Sequence, residues 1–218
     1  MDATDYKNLE ARNGGKSLAT YKRTLYDASA SVDDDGNITG YCLENRGAGK
    51  REAVWFDEVM SEWTNLPFCK THHLPMTRRI DAYYVKGDDA YLIEFKMDGD
   101  LKKFKDSFWL KFHDSLAQLL DHKWLTVAEA KEHLHYIVVT STKFSYQEGD
   151  FAPSVSGKKK SEMLLQCTSL GVDWMLRPWN YPIRSRCDLW RFEGVTCKKT
   201  LTITAAQFDR FAQENGWT

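Results

Sequence analysis

Two short strand-like runs, 79–85 and 91–96, flank the dipeptide Gly87-Asp88, and their pairing constrains the fold more than any other feature of the chain. Glycine in the first of two loop positions suits a type II′ turn, whose twist matches the strands that it joins. In that register Lys86 faces Asp89, and counting outward brings Asp81 opposite Glu94. A four-residue loop keeps the same register, whereas a three-residue loop slips it by one and breaks the alignment. Side chains alternate along a strand, so Glu94 and Lys96 share a face, while Ile93 and Phe95 point the other way and anchor the strand. Two carboxylates and one ammonium are thereby gathered on one side of a hairpin, facing a cleft.

The surroundings of the hairpin read as alternating helix and strand. From Glu52 onward, Trp55, Phe56, Val59, Met60 and Trp63 recur at helical spacing, which predicts an amphipathic helix with Glu52 in its apolar register. Between Pro67 and Pro75, Phe68 and Cys69 suit an edge strand. A second helix is expected over 104–122 from the stripe Phe108, Trp109, Phe112, Leu116, Leu119 and Leu120. Tyr136-Ile137-Val138-Val139 is short, continuous and β-branched, the pattern of a buried strand. Further strands are expected over 188–192 and 200–204, then a helix over 205–215 whose start carries a capping-box signature, Thr204 with Gln207. The fold class is therefore α/β, a central mixed sheet flanked by helices. Residues 1–49 read as a polar, loosely attached arm with one hairpin, 50–142 as the core, and 143–218 as a C-terminal α+β extension packed on it.

Composition narrows the function classes. Of the 218 residues, 42% are hydrophobic and 13% aromatic, ample for one packed core. Lys and Arg (30) nearly cancel Asp and Glu (31), so a surface for nucleic acid has to be a local patch. The five cysteines are odd in number and widely spaced, and no apolar run approaches the roughly 18 residues that span a bilayer. A cytoplasmic protein with reduced thiols and no membrane partner is expected.

Two carboxylates held side by side repel each other, and a hard divalent cation with oxygen ligands satisfies both. Alone, the trio also fits a cross-strand ion pair on a solvated face. The order helix, short strand, strand with Arg79-Ile80-Asp81-Ala82, strand with Ile93-Glu94-Phe95-Lys96, helix, strand resembles the core of the PD-(D/E)XK nuclease superfamily over about 50–140. Ile80 replaces the proline of the superfamily's name, which is not a metal ligand. The resemblance implies a restriction-endonuclease-like core and hydrolysis of phosphodiester bonds, in DNA foremost, with Mg²⁺ or Mn²⁺ as cofactor. Asp81, Glu94 and the Phe95 carbonyl are then the metal ligands, and Lys96 stabilises the transition state. Many members add an acid on the first core helix, and Glu52 fits best, ahead of Glu58 and Glu62. Cleavage of RNA, a structure-specific nuclease, or an inactive nucleic-acid-binding relative are the alternatives, and a homodimer is left open.

Other signals are weaker. Lys102, Lys103 and Lys105, with Lys158, Lys159 and Lys160, are candidates for tracking a phosphate backbone. Asp33-Asp34-Asp35-Gly36-Asn37-Ile38 lacks the end carboxylates of a calcium loop and reads as a turn. Around Gly47-Ala48-Gly49-Lys50-Arg51, Glu44 and Arg51 occupy positions where a phosphate-binding loop needs Gly and Ser or Thr. Cys69 with His72 and His73, and His133 with His135, lack a complete zinc set. Trp174, Trp179, Tyr181 and Trp190 read as core or accessory surface.

Overall fold

The structure, a computed structural model, describes residues 1–59, 79–97, 101–141 and 189–217, and of 101–103 and 105 the backbone alone. In chain order these form α1 (Ala3–Arg12), β1 (Lys22–Thr24), α2 (Leu25–Ala28), β2 (Ala30–Val32), β3 (Ile38–Tyr41), β4 (Glu52–Trp55), β5 (Ala82–Lys86) and β6 (Asp89–Lys96). They continue with α3 (Leu101–Asp121), α4 (Val127–His133), β7 (Leu134–Thr140), β8 (Lys199–Thr204) and α5 (Ala205–Glu214). Six strands make one mixed sheet in the order β1-β4-β5-β6-β7-β8, and β2 with β3 forms a separate hairpin. The pairings are antiparallel up to β6 and parallel from β6 to β7 and β7 to β8.

The β5–β6 register is the one expected, with Lys86 against Asp89 and Ala82 against Ile93. Gly87 has φ of 59° and Asp88 is not among the described residues with positive φ, as a type II′ turn requires. Alternation then divides the core in two. Tyr83, Leu92, Tyr136 and Val138 face Phe108 and Phe112 of α3 together with Tyr6 and Leu9 of α1. Tyr84, Ile93, Phe95, Ile137 and Val139 face Leu25 of α2, Phe208 and Phe211 of α5, and Trp217. Strand β7 is buried along its whole length, which explains its unbroken apolar run. Thr204 caps α5 through the expected reciprocal bonds with Gln207.

Three expectations fail. The N-terminal residues are not a loosely attached arm: Tyr6, Leu9, Leu18 and Leu25 are buried, and β1 pairs with β4 at the sheet edge. Only Tyr6 and Leu9 give α1 an apolar spacing, and two residues are too short a stripe to read. The helix expected from Glu52 is strand β4 up to Trp55, and only 56–59 are helical among the described residues. Ala53 and Val54 are both fully buried, one against each face of the sheet, as only a strand allows. The strand expected over 188–192 is, from Leu189 to Phe192, a 3₁₀ turn, which puts the buried Leu189 and Phe192 on one side. The edge strand around Phe68 lies outside the described residues, as do Cys69, His72, His73 and the tryptophans at 174 and 179.

Candidate active site

Strand β6 delivers Glu94 and Lys96 to the α3 side of the sheet near its carboxyl end, and Asp81 precedes β5 directly across from them. The ladder itself fixes Asp81. Pairing of β5 with β6 stops at Ala82, and the Phe95 N–H donates to Asp81 Oδ2 at 2.6 Å in place of a backbone carbonyl. The Asp81 carbonyl accepts the Phe56 N–H, so the residue is held from both sides. Because the Lys96 carbonyl accepts from Ser141 toward β7, alternation turns the N–H and carbonyl of Phe95 to the opposite edge, where Asp81 lies.

Helix α3 roofs the site. The Ser115 hydroxyl accepts the N–H of Ile80, stapling the helix to the residue before Asp81. One turn earlier, Lys111 Nζ donates to both oxygens of Glu94 at 2.8 and 2.9 Å and lies 3.7 Å from Asp81 Oδ1. Lys96 Nζ reaches Glu94 Oε1 at 2.7 Å and lies 5.3 Å from the centre of the Phe104 ring. Glu94 is fully buried, whereas about a fifth of each lysine side chain stays exposed, 21% for Lys96 and 19% for Lys111.

Enclosure and the Glu94 charge push the Asp81 carboxyl well above its ordinary range, against the opposing pull of Lys111, Lys96 and the Phe95 N–H. Enclosure alone would lower the Lys111 ammonium, yet Asp81 and Glu94 outweigh it and raise it. Beside Asp81 and Lys96 opens a cleft of about 310 Å³, walled across from them by Ser29 and Ser31 of the β2–β3 side and by Phe104. The Cys42 thiol, buried and pushed up to about 12, donates to the carbonyls of Lys96 and Val139 and anchors that wall beneath the site.

No family profile, curated protein or solved structure matches the chain. The chemistry therefore rests on the residues themselves.

Asp81, Glu94, Lys96 and the backbone of Phe95 are brought together. Glu52 is not: it is exposed on β4, where its carbonyl accepts from the N-terminal ammonium. As a strand residue opposite Thr24 it sits toward the sheet's far edge, so the helical register that pointed it at the cleft does not exist. Glu58 is exposed and Glu62 lies outside the described residues. The carboxylate that the turn at 56–59 brings nearest is Asp57, paired with Arg79 Nε at 3.1 Å and adding to the field that raises Lys111. Of Lys102, Lys103 and Lys105 only the helical backbone is described, and Lys158, Lys159 and Lys160 lie outside the described residues. His133 and His135 gather with Lys198 around Asp89 at the opposite end of β6. Sequence reasoning missed Lys111. It stands at the edge of the apolar stripe of α3, three residues from Phe108 and four from Ser115, where a lysine carries no local signal.

Proposed function

We propose that the chain is a metal-dependent nuclease of the PD-(D/E)XK type, with a restriction-endonuclease-like core, that hydrolyses phosphodiester bonds of DNA. The observation that carries this reading is the convergence of Asp81, just before β5, and Glu94, on β6, on a single cationic nitrogen, with Lys96 on the same buried Glu94. The strand order supports it. The strand that follows Asp81, the strand with Glu94 and Lys96, the crossover α3 and the parallel β7 match the later part of the element order on which the resemblance rests, whereas β4 stands where its first helix was expected.

The donor set fits a hard divalent ion. Mg²⁺ keeps several waters and takes one or two carboxylates, so among the described residues the absence of a third acid, His or Cys beside Asp81 and Glu94 is no obstacle. Asp81, Glu94 and the Phe95 carbonyl would hold Mg²⁺ or Mn²⁺. Such an ion supplies a water of lowered pKa and a Lewis acid for the phosphate. The protein's part is positional and electrostatic. The Phe95 N–H locks the Asp81 rotamer, burial keeps Glu94 from bulk water, and Lys96 offsets negative charge that grows on the phosphate as the attacking water bonds to phosphorus and the ester oxygen leaves.

The test is cleavage of single- and double-stranded DNA and RNA with Mg²⁺, Mn²⁺ or EDTA. DNA cut with either metal and intact in EDTA is the expected outcome. Cleavage of RNA alone reassigns the substrate, since the metal chemistry does not read the 2′-hydroxyl. A second reading, a nucleic-acid-binding protein with a retired site, is favoured by the fact that the lysines Lys96 and Lys111 already offset both acids. Binding without cleavage of any substrate, and no divalent ion detected by calorimetry, would establish it instead.

A further inference from the structure

We propose that Lys111 is a tethered counter-ion that holds the place of the divalent cation between Asp81 and Glu94 and is displaced when the metal binds. The inference rests on the nuclease reading and concerns how that site is loaded. Of the two lysines, Lys111 is the one between the acids: it bonds both oxygens of Glu94 and lies 3.7 Å from Asp81, whereas Lys96 reaches Glu94 Oε1 at 2.7 Å. Its stem is fixed. Phe108 and Phe112 bury the flanking helix face, and Ser115 ties that helix to Ile80. The side chain is not wholly enclosed: 19% of it is exposed, whereas Glu94 is fully buried. An ammonium on a flexible four-carbon stem can swing away from the acids while the helix that carries it stays in place.

Charge dictates the exchange. With Asp81 ionised, two carboxylates and two ammoniums cancel, so a divalent ion added without displacement would leave an excess of two positive charges around the buried Glu94. Moving Lys111 out relieves part of this excess, and a substrate phosphate neutralises the rest. The metal-free site is thus held together by the protein's own cation, and metal binding is weakened by the need to expel it.

The test compares Mg²⁺ and Mn²⁺ affinity, by titration calorimetry, in the unaltered protein and in Lys111→Gln, whose amide stays polar without the charge. Affinity should tighten at least tenfold in Lys111→Gln, while the melting temperature in EDTA falls. Unchanged or weaker affinity in a folded Lys111→Gln protein overturns the inference and leaves the nuclease reading standing. No divalent ion bound by either protein overturns both. Should Lys111→Gln not fold, amine-reactive labelling of the unaltered protein decides: by peptide mass spectrometry, Lys111 should be protected in EDTA and labelled several-fold faster in Mg²⁺. Equal labelling despite calorimetrically detected metal overturns the inference.

Discussion

Glu94→Gln is the substitution whose consequence the structure specifies most fully. The change keeps the shape of a fully buried side chain and removes the charge that two ammoniums share, Lys96 at 2.7 Å and Lys111 at 2.8 Å. A glutamine oxygen can accept from one of them, but its NH₂ then faces the other. Removing one member of a buried ion pair costs about 3–5 kcal/mol, chiefly because a charge is stranded. Both lysines keep about a fifth of their side chains in water, so the lower end, about 3 kcal/mol, applies. For a chain of 218 residues, at about 2–4 °C per kcal/mol, the melting temperature should fall by roughly 6–12 °C. The assay is thermal unfolding followed by circular dichroism in EDTA, so that metal linkage does not enter. Adding Lys111→Gln to the same protein should recover part of the loss, since it removes one stranded charge. A fall of less than about 2 °C, or a gain, would refute the reasoning and mean that the four charges contribute nothing net to the fold.

On the proposed nuclease reading, Lys96→Ala should bind metal and nucleic acid yet cleave about 10² to 10³ more slowly, whereas Asp81→Asn should lose activity that high Mg²⁺ or Mn²⁺ partly restores; identical metal dependence in the two variants would contradict the division of roles. Glu52→Gln should leave cleavage unchanged and stability within about 0.5 kcal/mol, because its carboxylate is exposed on β4; a large loss of activity would return it to the site. Burial, against the help of Asp89, depresses the His135 imidazole to about 4, so the unfolded chain binds a proton that the folded chain excludes between that value and the ordinary 6.5. Stability from this group is complete above 6.5 and is lost as pH falls toward about 4. His135→Phe, which keeps the stack on Tyr91, should flatten the acid side of the stability profile, and equal slopes in urea titrations would refute this.

What was legible in the sequence was what local chemistry decides. Gly87 sets a turn, the turn sets a register, and alternation then places Asp81, Glu94 and Lys96 on one face without knowledge of anything distant. Helix α3 and strand β7 were legible for the same reason, each carrying its own period over many residues. Glu52 was misread because 52–59 joins a short strand to a helical turn, and apolar residues spaced for a helix also occur along a strand that is buried on both faces. The burial of α1 depends on a surface that exists only after the sheet forms. Lys111 was overlooked because its meaning comes from Glu94, which lies a whole strand-to-helix crossover away in sequence and 2.8 Å away in space.

The tight connection between β5 and β6 also leaves a mark on the order in which the chain assembles. A hairpin closes in about 1–10 μs on its own contacts, whereas parallel pairing of β6 with β7 waits for α3 to cross over. On that order Asp81 and Glu94 would meet before Lys111 arrives. The early hairpin brings its acids together with Lys96 alone to offset them. Relief of that repulsion should speed the productive encounter, so stopped-flow refolding is expected to be faster at mildly acidic pH or in the presence of a divalent ion. Refolding that is no faster under either condition would mean that the acids come together only once Lys111 is in place, and the site would then leave no imprint on the kinetics of folding.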